Sequence, residues 1–380
     1  MIYFDAGATT LEKPESVRAA MAEAVATMCS PGRGGYPATK RAEETAFACR
    51  TEAAELFGVD SPEKVIFTSN ATHGLNIAIR SLVKPGSRVA ISGYEHNSVL
   101  RPLYAIDDIE LTVVDSPLFD PQRALEEFRQ VLRRGVDAVV CTHVSNVFGY
   151  VLPVEELAKE CRSSGVPLII DASQSAGVLP VRMDVLRPAF IAMPGHKGLY
   201  GPQGTGLLLC CGDWPTVPLL SGGTGSVSRL RRMPDDLPDR LEAGTHNMPG
   251  IAGLLEGLRF IRRTGLQRIA QQEREVVSAA AEYLRKIPQV RLYAEENFAN
   301  QTGVISFTVE GMDCENVGAF LAEKGIAVRA GLHCSPLAHQ TVGTGQSGTV
   351  RLSVSVFNTT KQAEIFSREL SGIIRENVRF

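Results

Sequence analysis

The segment 327-AVRAGLHCSPLAH-339 places a cysteine in a polar, glycine-containing loop, beside a histidine and five residues after an arginine. Cysteines kept for packing sit among apolar residues and are inert. Cys334 instead has His333 as its neighbour and Arg329 close in sequence. Cations beside a thiol favour the thiolate, which is the nucleophile. Two readings stand on this stretch alone: a nucleophile, or a loop cysteine with no role. The second candidate is Lys197, in 194-PGHKGLYGPQGTG-206. Most lysines beside glycines are surface groups. Here Asp171 ends the preceding apolar run, 167-PLIIDA-172, and a strand–helix–strand unit would carry both residues to one rim. A lysine with a carboxylate held near it suits pyridoxal phosphate: the amine forms the Schiff base and the carboxylate keeps the ring nitrogen protonated. The stretch 69-SNATHG-74, between an apolar run and a helix beginning LNIAIRSL, offers free N–H groups where a phosphate would bind. The glycines of GPQGTG precede an apolar run, so they read as a turn into a strand. A dinucleotide loop would need strand, glycine turn and helix in that order.

These residues need elements to position them. Between about residues 40 and 260, short runs rich in Val, Ile and Leu alternate with charged amphipathic segments. The runs are 64-KVIFTS-69, 88-RVAISG-93, 111-LTVVD-115, 137-DAVVCTH-143, 167-PLIIDA-172, 189-AFIAMPG-195 and 205-TGLLLCC-211. Near-continuous apolar strands belong to a sheet covered by helices on both faces, and the alternation implies a mostly parallel α/β sheet. Segments 122–134 and 154–165 read as helices between the strands. Ligands of such sheets sit at the carboxyl ends of the strands. There the runs deliver Asp171, His196, Lys197, His143, Asn146 and the stretch 94-YEHNS-98. From about residue 265 the rhythm changes. A long polar helix (267–286) leads to strands at 303–311, 326–331 and 349–355, with helices at 313–324 and 361–376. This predicts a smaller α+β lobe.

The chain has 380 residues, 44% hydrophobic and 21% charged, with a formal net charge of −3. That balance argues against nucleic acid or an anionic membrane surface as the main partner. No apolar run approaches the roughly 18–20 residues that span a bilayer. The start, MIYFDAGATTLEKPE, has no basic segment followed by an apolar one, so no secretory signal is expected. The eight cysteines are scattered without C-x-x-C spacing. They read as reduced cytoplasmic thiols and not as a disulfide framework or a metal site.

The stretches 94-YEHNS-98, 141-CTHVSNVFG-149, 171-DASQSAG-177, 194-PGHKGLYGPQGTG-206, 243-AGTHNMPGIAG-253 and 327-AVRAGLHCSPLAH-339 resemble the class V aminotransferase superfamily. More narrowly, they resemble the cysteine desulfurases and selenocysteine lyases, and 329-RAGLHC-334 is similar to the group II form. The resemblance runs from about Asp5 to Phe357. It implies pyridoxal-phosphate fold type I: an α/β large domain with a mostly parallel seven-stranded sheet flanked by helices, over residues 16–260, and a smaller α+β domain over 261–380 that carries the Cys334 loop. Residues 1–15 are expected to join the small domain.

The same resemblance implies roles. Lys197 would hold the cofactor covalently and shuttle the substrate's α-proton. Asp171 would pair with the ring nitrogen, Gln174 with the ring hydroxyl, and His96 would stack on the ring face and take part in proton transfer. Ala71, Thr72 and His196 would hold the phosphate, with Thr245 reaching the phosphate of a partner subunit in a homodimer. Arg351 would clamp the substrate carboxylate, assisted by Asn146, with Arg329 lining the pocket. Cys334 would be the nucleophile. His143 and Asn146 could equally close a turn, His246 and His333 read as loop residues, and Tyr94 as packing. Two departures from the family's pattern stand out. Pro194 occupies a position usually filled by a hydroxyl donor to the phosphate, and Tyr36 stands where many relatives have a histidine near the substrate. The implied activity is the conversion of L-cysteine to L-alanine, leaving a persulfide on Cys334 that passes to an acceptor. The alternatives are selenocysteine lyase, with L-selenocysteine as substrate, and another class V reaction such as transamination or β-elimination. A non-catalytic scaffold is disfavoured by the joint presence of Lys197, Asp171, Gln174, His96 and Arg351.

Overall fold

A computed structural model describes residues 1–32, 34–212 and 214–377. Arg33, within the segment 32–44, and residues 378–380, at the end of the expected small domain, lie outside the described residues. In chain order, β1 (Ile2–Tyr3) precedes α1 (Glu15–Thr27) and α2 (Pro37–Phe57). An alternation follows: β2 (Val65–Thr68), α3 (Ala71–Leu82), β3 (Arg88–Ser92), α4 (Asn97–Tyr104), β4 (Glu110–Val114), α5 (Pro121–Arg134), β5 (Ala138–Thr142), α6 (Val154–Ser163), β6 (Leu168–Asp171), α7 (Met183–Leu186), β7 (Phe190–Pro194) and β8 (Gly206–Cys210). The remainder is α8 (Met248–Thr264), α9 (Leu266–Leu284), β9 (Val290–Tyr293), β10 (Val304–Val309), α10 (Cys314–Glu323), β11 (Ile326–Ala327), β12 (Arg329–Gly331), α11 (Pro336–Val342), β13 (Thr349–Ser353) and α12 (Thr360–Asn377).

Each of the apolar runs between residues 64 and 211 forms a strand of one sheet, in the order β2-β8-β7-β6-β5-β3-β4. Pairing is parallel except around β8, which is antiparallel to both β2 and β7. The link from β7 to β8 spans only residues 195–205 and contains no helix, too short for a crossover, so β8 must run back. Lys197 rides on that link. The strands β5 to β8 are buried along their whole length. Their period-2 alternation divides them between two cores: Val139, Cys141, Ile170 and Ile191 face one, while Ala138, Val140, Ile169 and Phe190 face the other. Helices therefore cover both faces, as the uninterrupted apolar runs require.

The smaller lobe is built on the antiparallel sheet β12-β13-β10-β9, packed around Phe4, Ile305, Phe307, Leu352 and Phe366. The chain start belongs to it, since β1 pairs in parallel with β11 and Asp5 bridges to Ser353. The single strand expected over 326–331 is two strands. Val328 separates β11, which pairs with β1, from β12, which pairs with β13, so one apolar stretch serves two sheets. The apolar pattern does not predict α1, α2 and α8. Signals for α2 were nevertheless present: Pro37 at its first turn and Gly58 in the left-handed conformation (φ +66°) at its end. No helix among the described residues is long and apolar enough to cross a membrane.

Candidate active site

A cavity of about 220 Å³ lies at the carboxyl ends of the parallel strands, and its wall holds every site residue read from the sequence except Thr245. Its floor comes from the large sheet. Asp171 ends β6, and Lys197 follows β7, whose Ala192 is the register partner of Asp171. Ala71 and Thr72 open α3, capped by Asn70, whose side chain accepts the His73 N–H at 2.9 Å. His96 caps α4, its Nδ1 accepting the Ser98 N–H at 3.0 Å. That bond leaves the proton of a neutral ring on Nε2.

The electrostatics follow from burial and from crowding of cations. The Lys197 amine is pushed down to about 8 by burial, aided by Arg351 and opposed by Asp171. Burial raises the Asp171 carboxyl, against the pull of Ser173, whose N–H donates to Oδ1 at 2.9 Å, and of Lys197. His96 is held down at about 4 by burial, with Lys197, Arg329 and Arg351 adding to the effect, so it is neutral at pH 7. His196 is likewise pushed to about 4, chiefly by burial. Its carbonyl accepts the hydroxyls of Thr9 and Thr10, both at 3.1 Å, while its buried Nδ1 has no partner. Gln174 donates through Nε2 to the Gly7 carbonyl at 2.9 Å.

The opposite wall comes from the small lobe. Arg351 is 2% exposed, pairs with Asp5 at 2.6 Å and donates to the Asn146 carbonyl at 2.9 Å, and its buried Nε has no partner. Arg329 faces Arg351 directly across the β12–β13 ladder. Like charges in such a pair repel, and an anion between them would relieve it. Cys334 is exposed, and it and His333 both adopt the left-handed backbone region (φ +57° and +51°). The loop is tied down on each side. The Cys334 carbonyl accepts the Asn97 N–H at 2.9 Å. Asn146 donates to the His333 carbonyl at 2.8 Å and accepts the Ser335 hydroxyl at 2.6 Å. The polar groups of the Asn146 side chain are thus spent on the loop.

One reading changes, and others stand. A cationic His333 beside Cys334 is not present. The ring is buried, Nε2 donates to the Thr349 carbonyl at 3.1 Å, and burial with Arg351 nearby drives it down to about 2. The cations that share the cavity wall with Cys334 are Arg329, Arg351 and Lys197 instead. His143 is buried beneath the site and closes a turn: its N–H donates to the Asp171 carbonyl and its carbonyl accepts the Leu152 N–H, each at 2.9 Å. Tyr94 packs, its hydroxyl bonded to the Ser116 carbonyl at 2.8 Å. Tyr36 is 54% exposed and absent from the cavity wall, whereas Pro194 lines it. Thr245 lines a neighbouring cavity of about 610 Å³, which meets the first at Asn70 and Thr72. Sequence reading missed Asp5, the partner of Arg351, and Glu95. Glu95 is fully buried, and it accepts from the Ser92 hydroxyl (2.5 Å) and the Thr142 N–H (2.7 Å). It sits next to His96 in 94-YEHNS-98, the one signal that pointed to it.

The cavity fits pyridoxal phosphate. The α3 N-terminus, the Thr72 hydroxyl and the unpartnered His196 Nδ1 suit a phosphate. Asp171 suits a protonated ring nitrogen, His96 offers a neutral ring face, and Lys197 is the only amine in the wall among the described residues.

Residues 2–366 match the class-V aminotransferase family. The chain is 30% identical to a probable cysteine desulfurase of Pyrococcus abyssi, over 99% of this chain and 94% of that one. The structure of a cysteine desulfurase from Thermococcus onnurineus superposes with a TM-score of 0.92 at 32% identity, covering 99% and 95% of the two chains. A cysteine desulfurase from Escherichia coli shares the fold, with a TM-score of 0.87 at 24% identity over 99% and 95%.

Proposed function

The chain belongs to the class-V aminotransferase family, and from that premise we propose that it is a pyridoxal phosphate-dependent cysteine desulfurase. The observation that carries the reading is the meeting, in one cavity, of a buried lysine, a buried carboxylate and a loop cysteine. Bound pyridoxal phosphate would supply an electron sink for bonds at the substrate's α-carbon. Lys197 would hold the cofactor, with Asp171 at its ring nitrogen, Gln174 at its ring hydroxyl, His96 on its face, and Ala71, Thr72 and His196 at its phosphate. Arg351 and Arg329 bind and orient the carboxylate of L-cysteine, an anion that suits their facing guanidinium groups. With cofactor and substrate bound, the Lys197 amine would take the α-proton; its pKa near 8 lets it change protonation state at low cost near neutrality. The Cys334 thiolate attacks the substrate sulfur. The carbon–sulfur bond breaks, a sulfur–sulfur bond forms, the β-carbon takes a proton and Lys197 returns one to the α-carbon, giving L-alanine and a persulfide on Cys334. Asn146 acts on the substrate indirectly, by holding the loop on which Cys334 sits.

A homodimer is part of the same reading. Thr245 borders a cavity that also carries the exposed Leu219 and Leu220, beside the α3 N-terminus, where a second copy would both cover apolar surface and extend the phosphate site. The free cysteines favour a reducing, cytoplasmic setting. The decisive experiment incubates the cofactor-loaded protein with L-cysteine and no reductant. The expected result is alanine equal to the enzyme present and one added sulfur on the Cys334 peptide. Pyruvate as the product, with that peptide unmodified, would overturn the reading.

A further inference from the structure

Cys334 borders two cavities. One is the catalytic cavity. The other is an open groove of about 340 Å³ between α3 and α4, walled by Asn76, Arg101, Pro102 and Ala105, and it shares His96, Ser98 and Thr72 with the first. The cysteine thus stands in a partition, with substrate on one side and the groove on the other; Thr72 and Asn76 of the groove also line the cavity read above as a dimer contact, whereas Arg101, Pro102 and Ala105 do not. No carboxylate lines that groove among the described residues, and His96 is neutral, so Arg101 is the one cation in its wall at pH 7. Arg101 is exposed and makes no side-chain hydrogen bond or ion pair among the described residues. An unpaired guanidinium facing a groove of this volume, at the low end of the roughly 300–1,000 Å³ typical of small-molecule sites, calls for a small anion.

We propose that this groove is the acceptor site of the second half-reaction, and that Arg101 selects a small anionic thiol as the acceptor of the sulfur held on Cys334. The proposal rests on the desulfurase reading given above. In the step, the acceptor thiolate attacks the outer sulfur of Cys334–S–SH. The bond between that sulfur and Cys334 Sγ breaks, the electron pair stays on Sγ, and the outer sulfur leaves with its proton as R–S–SH. The Cys334 thiolate is regenerated and no oxidant is consumed. Arg101 attracts and orients the acceptor through its anionic tail. It does not line the catalytic cavity and acts on the first half-reaction only as the weakest of the charges that, with burial, keep His96 neutral. Its position in the last turn of α4 offers a plainer role, stabilising the helix end, which the test must separate.

The test uses the cofactor-loaded full chain. Wild type, Arg101→Gln and Arg101→Glu are each charged with one equivalent of L-cysteine. Alanine release is measured, and the persulfide is then chased with 2-mercaptoethanesulfonate (anionic), 2-mercaptoethanol (neutral) or cysteamine (cationic). Comparing variant with wild type for each thiol cancels that thiol's intrinsic reactivity. Arg101→Gln should slow transfer to the anionic thiol about tenfold and leave the neutral thiol within about twofold, an effect that salt diminishes. Arg101→Glu should deepen the loss for the anionic thiol and speed transfer to cysteamine. Alanine release should be unchanged in both. Equal slowing of all three thiols, or none, overturns the proposal and leaves Arg101 a helix-end residue. Absence of alanine and persulfide in the wild type would instead sink the desulfurase reading.

Discussion

The two sides of the catalytic cavity are made differently. Asp171 and Lys197 stand at adjacent strand ends of one sheet, and strand pairing fixes their separation. Arg351, Arg329 and Cys334 belong to another sheet and its following loop. They reach the cavity through bonds between side chain and main chain across the lobes: Arg351 to the Asn146 carbonyl, Asn146 to the His333 carbonyl, Asn97 to the Cys334 carbonyl. Breaking a sheet takes many hydrogen bonds, whereas loosening the loop takes one or two. The sheet side is therefore the harder to deform, and the loop side can be adjusted without disturbing it.

Substitutions can break that contrast, and the largest effect is on the sheet side. Lys197→Ala should abolish both turnover and the visible absorbance of the lysine-bound cofactor, because no other amine lines the cavity. A borohydride-reducible adduct in that variant would place the lysine elsewhere. On the loop side, Cys334→Ser should leave the absorbance intact and reduce alanine formation from cysteine by orders of magnitude, since a neutral hydroxyl cannot accept the sulfur. Asn146→Ala should sharpen the distinction. It removes two hydrogen bonds that hold the loop, each worth about 0.5–1.5 kcal/mol, so a fall of about tenfold in alanine formation is expected with cofactor affinity unchanged. Equal losses in both would show that the two sides are not independent.

Two pH effects are smaller. Capture of pyridoxal phosphate by the apoprotein needs the neutral amine, so its rate should rise with pH to half its plateau near 8, where burial has placed Lys197. A half-point near the ordinary lysine value would contradict the buried environment. Glu273, buried on α9 behind the cavity, is raised to about 8 by burial. Its folded pKa lies above its unfolded one, so its contribution to stability is complete below about 4.5 and is lost as pH rises through 8. Glu273→Gln should therefore flatten the decline of melting temperature across that window, with little change at pH 4.5 or below.

The large sheet was legible because its strands are buried on both faces, and burial on both faces writes itself as an uninterrupted apolar run. The reversal of β8 was not, since a run of Leu residues has no direction; only the short link carrying Lys197 decides it. The cofactor side could be read from strand-end residues such as Asp171 and Lys197, which chain order brings together. The loop side was harder. The pairing of Asp5 with Arg351 spans nearly the whole chain, and the neutral state of His333 comes from burial with Arg351 nearby, which only the packed lobes create. Asn146 showed in the sequence as a polar residue at a strand end, but its duty toward the loop exists only once the two lobes meet.

The left-handed backbone at residues 333 and 334 constrains which sequences can drift there. Glycine and asparagine enter that region at little cost, whereas most other residues pay roughly 1–2 kcal/mol. At position 333 either would relieve the chain but forfeit the ring nitrogen that reaches Thr349. At position 334 no substitution relieves it without removing the sulfur. A stability-driven search for improved variants should therefore favour replacing His333, and selection for sulfur transfer should favour restoring it, so the loop is where foldability and chemistry oppose each other in mutational space.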